Sequence, residues 1–146
     1  MGGVAVFAGT QATEDNTTRD DSGAITEAGG LGAFALQVGD CIQLPDATEV
    51  LSVEGVPCGE PHDAQVFAEF ELPDGDFPGV ESVEMSAGDG CYERWPAAVG
   101  TDYETDTASD FTVFTPTAES WAEGDREVAC LLVPLDGPQM VGSRLR

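Results

Sequence analysis

The sequence predicts an α+β domain, built on a mainly antiparallel sheet of about four to six strands with a helical region over about 80–99 packed on one face and two disulfides. Three observations predict it. Segments with alternating apolar and polar residues, such as "DAQVFAEFEL", have the period of a strand with one wet side. Between Val80 and Val99 the period changes, and Val80, Val83, Ala87, Cys91 and Trp95 recur three or four residues apart as one helical stripe. Four cysteines are spread along the chain, an even number with no C-x-x-C pair among them.

The elements follow in order. At 146 residues the chain is one domain's worth. The opening "MGGVAVFAG" has no positive flank and is too short for a secretory core or a membrane span; it reads as the outer end of a transmembrane helix that begins upstream. Residues 10 to 33 are rich in Thr, Asp, Gly and Ala and nearly free of large apolar groups, so 1–33 is expected as a disordered linker or membrane-proximal segment. The folded domain, 34–146, then starts at "FALQVGDCIQL". In "DAQVFAEFEL", Val66, Ala68, Phe70 and Leu72 fall on one face and Gln65, Glu69 and Glu71 on the other, with Phe67 as the exception. Gly88 and Gly90 weaken the helical stretch by about 1 kcal/mol each, so two short helices compete with one long one. "FTVF" is a short strand, "TPTAESWAEG" carries a threonine cap and a glycine stop, and "REVACLLVPL" is apolar on both faces, as a central strand is.

Charge removes whole classes of function. Twenty-eight acids face five arginines and no lysine, and the formal charge of −23 repels phosphate backbones and anionic headgroups. Neither nucleic-acid binding nor peripheral attachment to a membrane through a basic patch is compatible with it. No cation lies between Arg19 and Arg94, so the many carboxylates in that interval are expected to be mostly solvated.

Cys41, Cys58, Cys91 and Cys130 read as two structural disulfides, which place the domain outside the cytoplasm. Pairing in order, Cys41 with Cys58 and Cys91 with Cys130, is one of three connectivities, and in it each bond clips a local unit. The stretch "VPCGEPHDAQV" sets Cys58 four residues from the chain's one histidine, His62. A zinc site needs three or four converging ligands, and a Cys/His nucleophile needs a free thiolate. Neither condition is met when Cys58 is cross-linked, so the stretch reads as a turn stiffened by Pro57 and Pro61, with no metal and no cofactor implied. "DYETDTASD" puts Asp102, Glu104, Asp106 and Asp110 at calcium-loop spacing, but Thr107 and Val113 stand where the glycine and the glutamate belong. Arg126, in "GDREV", is expected to pair with Asp125, Glu127 or a carboxylate from elsewhere, with ligand anchoring as its second role. Trp121 is expected in the core. No G-x-S-x-G, phosphate-cradling glycine loop or H-E-x-x-H is present.

The ordered set "VGDC", "VPCGEPHDAQV", "FPG", an isolated cysteine in a helical stretch, "W-x-x-GDR-x-V-x-C" and a final "GS" resembles the septum formation family of actinobacterial envelope proteins, from about Val38 to Leu145. The resemblance implies an extracytoplasmic domain, commonly following a membrane helix, with a link to cell division and no established catalytic residues. Gln65 stands where the family pattern has an acid, and "VGSRLR" lacks the usual threonine before its glycine. The expected function is a non-enzymatic envelope domain that binds envelope or division proteins or cell-wall material, using Pro61, His62 and the neighbouring loop, with Arg126 as a further candidate. An envelope-acting hydrolase working through carboxylates, and a small-ligand or ion sensor on a membrane-anchored protein, are the alternatives.

Overall fold

The computed structural model describes residues 3–4, 14–44, 49–50 and 52–145. Apart from Gly3 and Val4, the opening stretch read as the end of a membrane helix lies outside them. Its strands are β1 (Gly3–Val4), β2 (Thr18–Arg19), β3 (Ile25–Glu27), β4 (Gly29–Gly32), β5 (Cys41–Gln43), β6 (Glu49–Val50), β7 (Ser52–Val56), β8 (Ala64–Glu71), β9 (Ser109–Pro116) and β10 (Glu127–Pro134). Two α-helices, α1 (Val80–Val99) and α2 (Ala118–Ala122), and two 3-10 turns, Ala33–Ala35 and Tyr103–Thr105, complete the set among the described residues. The expected α+β architecture is what is found. Six antiparallel strands run in the order β4-β7-β5-β8-β10-β9, the two-residue β1 and β6 extend the β9 side in parallel, and β2 and β3 pair separately. The apolar β10 lies between β8 and β9, inside the sheet as its sequence requires.

Both faces of the sheet are covered. On one, Phe67, Ala68, Val128, Cys130 and Leu132 meet the inner stripe of α1, Val83, Ala87, Cys91 and Trp95. Val80, assigned to that stripe from its spacing, is 62% exposed, because it opens the helix before α1 reaches the sheet. On the other face, Ile42, Val53, Val66, Ala129 and Leu131 pack with Ile25, Leu31 and Leu36. Ile25 and Leu31 show that the segment ahead of Phe34 is part of the fold: β4 hydrogen-bonds to β7, and Leu31 is fully buried. Two apolar anchors and backbone pairing order a stretch whose composition alone reads as a linker.

The alternation in β8 changes phase midway. Cys130 pairs with Ala68 but Leu131 pairs with Val66, so Phe67 is an extra residue, a bulge that turns Phe67 and Ala68 to the same side. Val66 therefore faces away from Ala68, contrary to the pattern read from the sequence, and the exceptional Phe67 is the cause.

α1 is one helix despite its glycines, and the two glycines differ. A Cβ on Gly90 would sit 2.2 Å from Cζ of Phe70, whereas one on Gly88 would meet nothing within 4 Å. Arg94 stacks on Phe70 at 4.1 Å and limits its retreat. Gly88→Ala is expected to stabilise the domain by about 1 kcal/mol, the ordinary helix-propensity gain. Gly90→Ala is expected to destabilise it by about 1–3 kcal/mol through overpacking. Urea midpoints that move in the same direction would contradict this assignment.

Candidate functional site

The two regions singled out from sequence sit at opposite ends of β8. His62 precedes the strand, and the Leu72 amide just beyond it donates to the carbonyl of Arg126 at 2.8 Å. Eight residues of strand hold them roughly 25 Å apart, so they do not share a site.

At the first end, Cys41 and Cys58 are joined, tying the start of β5 to the Pro57–Pro61 turn. His62 is fully buried. Its backbone exchanges two hydrogen bonds with Met140, and its Nδ1–H donates to the Glu60 carbonyl at 2.7 Å. Its Nε2 is buried with no hydrogen-bond partner among the described residues. The imidazole therefore contributes no surface of its own, and what this turn offers a partner is Pro61, which is exposed, together with Gly59 and Glu60.

At the other end, the Arg126 guanidinium lies 3.7 Å over the Trp121 ring. Its Nε and Nη2 donate to Asp74 Oδ1 at 3.1 and 2.8 Å, and Nη1 donates to the carbonyls of Trp121 and Asp125 at 2.9 Å each. The carboxylate it uses comes from the 73–78 loop, not from either sequence neighbour. Trp121 is buried, its Nε1–H donates to the Gly75 carbonyl at 2.8 Å, and Phe77 meets its ring edge-on. Arg126 and Trp121 thus fasten that loop to α2 and the start of β10. The Thr117 and Ser120 side chains cap α2 reciprocally, and Ser120 Oγ donates to the buried Asp125 at 2.8 Å.

The carboxylates of the 102–110 loop go to separate donors. Asp106 accepts from the Ala108 and Ser109 amides and from Thr101, Asp110 from Tyr103, and Glu104 from Tyr92. Among the described residues no group of three or more His, Cys, Asp or Glu is placed to hold a metal ion.

The second disulfide joins Cys91 in α1 to Cys130 in β10, so the in-order connectivity is the one adopted and all four sulfurs are consumed. The family model for septum formation matches residues 9–130, which takes in both bonds, the "PCGEPHDAQV" turn and the "WAEGDREVAC" clamp. The chain belongs to the septum formation family. Searches of curated proteins and of solved structures each found no match.

Two features of this septum formation domain escape a reading of its sequence. Arg19 forms a bidentate pair with Asp40, at 2.8 and 2.9 Å, and also holds Asp15 and the Gly23 carbonyl. Asp40 is buried, an exception to the solvated carboxylates expected between Arg19 and Arg94; its cation comes from twenty-one residues upstream. The isolated arginine in an acidic run was the available signal. Gln65, also buried, donates from Nε2 to Ser143 Oγ and the Gly39 carbonyl and accepts the Arg144 amide at Oε1. It fastens the C-terminal "GSR" beside the first disulfide, work an acid there could share only in part because it has no donor.

Among the described residues of the septum formation domain, Glu69 is the most perturbed carboxyl. Burial, then the neighbouring charges of Glu127 and Asp40, push it up to about 7, and its Oε2 has no hydrogen-bond partner among the described residues. Burial also raises Glu127 and Asp125. An acid raised in the folded state keeps its proton there between its ordinary value of 4.5 and about 7 while the unfolded chain has released it. Stability therefore falls as pH rises through that window, and the penalty is complete above it. Glu69→Gln is expected to raise the melting temperature at pH 8 and to leave it unchanged at pH 4; an equal shift at both would show that its charge is not the cause.

Proposed function

We propose that this domain is a non-enzymatic interaction module of the cell envelope that acts in septum formation, on the outer side of the membrane. The family match over residues 9–130 carries the reading. The two disulfides support the location, because such bonds do not persist in a reducing compartment. Among the described residues no helix is long and apolar enough to cross a membrane, so anchoring would come from sequence outside them. The charge of −23 favours cationic partners and disfavours nucleic acid.

The test is the position of the full-length protein in dividing cells, carried by a fluorescent reporter that matures outside the cytoplasm. Accumulation at the septum is the expected outcome; signal spread evenly along the envelope, or confined to the cytoplasm, would refute it. A second reading, favoured by Glu69 with its raised proton affinity beside Glu127, is an envelope hydrolase using carboxylates. Release of soluble fragments from purified cell wall by the oxidised domain would establish that reading, and their absence over prolonged incubation would support the first.

A further inference from the structure

We propose that the hollow between the 73–78 loop and the first half of α1 is a docking slot for one lysine or arginine side chain of a partner polypeptide. The hollow measures about 260 Å³. Its floor is apolar, formed by Leu72, Val83 and Trp121, all buried. Its rim carries Asp74 and Asp76, both exposed, and no lysine or arginine lines it. That combination suits a long basic side chain, whose methylene stem lies along apolar surface while its charged head reaches carboxylates.

The carboxylates are available. Asp74 gives Oδ1 to Arg126 and the Gly75 amide, which leaves Oδ2 open, and Asp76 has no partner among the described residues. Arg126 shows what this neighbourhood does for a guanidinium: it stacks on Trp121 and pairs with Asp74 from its own hollow, without entering this one. The helical wall is made by Ser82 and Ser86. Met85, 65% exposed, and Asp89 lie within one turn of them, so a residue beside the inserted cation would find an apolar contact and a further acid. The charge of −23 steers a basic segment to the domain, and the slot gives that attraction a geometry. The assignment names the partner chemistry for the interaction module described above and rests on that reading.

The experiment titrates the isotopically labelled, oxidised full chain by NMR with a short acetylated and amidated peptide bearing one arginine between leucine and alanine. A matched peptide with citrulline, a neutral isostere of arginine, and free n-butylammonium are the comparison probes. The expected result is focused perturbation of the amides of residues 73–86 and of the Trp121 indole, with binding about tenfold weaker for citrulline. Asp76→Asn should weaken the arginine peptide, and Ser86→Trp, which fills the slot from an exposed helical position, should abolish its effect at Trp121. Shifts spread over the acidic surface and equal in both variants would overturn the proposal in favour of unfocused charge attraction. Binding of n-butylammonium as tight as that of the peptide would overturn it in favour of a small-amine site. Either result leaves septal localisation untouched, so the two claims fail separately.

Discussion

Removing the Cys91–Cys130 bond by the double substitution Cys91→Ala and Cys130→Ala is expected to cost about 4 kcal/mol of stability on a chain-entropy estimate. That is a fall in melting temperature on the order of 10 °C. The bond closes a loop of thirty-nine residues and joins α1 to an interior strand, and both sulfurs are fully buried. Cys41–Cys58 spans only seventeen and joins a strand end to a turn, so its removal is expected to cost less, about 3 kcal/mol. The stakes are raised by self-repulsion, since a chain with a formal charge of −23 loses compactness more readily once a cross-link is gone. Thermal or urea unfolding of the two double variants checks the ranking; a larger loss from Cys41–Cys58 would mean that strain or residual unfolded structure outweighs loop length.

Trp95→Ala is expected to have a comparable effect, about 3–5 kcal/mol, through the transfer and cavity costs of deleting a large buried ring. Trp95 has no exposed surface and sits among Phe67 and Tyr103, with ring centroids 5.3 Å away in each case, and Phe111 at 6.1 Å. Its Nε1–H donates to Thr101 Oγ1 at 3.3 Å, so truncation also loosens the 101–110 loop. Tyr92, three residues earlier on the same helix but exposed, is the internal control. Its ring meets Tyr103 edge-on at 5.8 Å and its hydroxyl donates to Glu104, so its replacement by alanine is expected to cost about 1 kcal/mol, well below the loss at Trp95. Equilibrium urea unfolding distinguishes the two. Similar values would mean that the α1 side of the sheet is not the tightly packed layer described. Because Trp95 and Cys91 belong to one packed cluster, their losses should not add.

What the sequence made legible follows from periodicity and punctuation. The stripe Val83, Ala87, Cys91 and Trp95 named the inner face of α1, and continuous apolarity placed "ACLLV" inside the sheet. Thr117 and Gly124 bounded α2. The misreadings share one cause, dependence on partners distant in sequence. The phase change in β8 shows only in its pairing with β10. The ordering of 14–32 depends on Leu31 reaching the sheet and on Arg19 reaching Asp40, neither of which local composition reveals. At the candidate site, the motif around His62 was visible but its burial was not, since that depends on a bridge to Met140 near the C-terminus. Arg126 was expected to find a carboxylate, and the one it found, Asp74, lies fifty-two residues away in a loop that reads as a plain turn.

Two sealed cross-links hold this acidic, two-faced sheet domain together. Peptide mapping by mass spectrometry of protein purified under non-reducing conditions, with free thiols blocked at lysis, tests this directly. The expected map shows one linked pair of fragments carrying Cys41 and Cys58, another carrying Cys91 and Cys130, and no blocked thiol. Four blocked thiols, or linked fragments in either of the other two pairings, would contradict it.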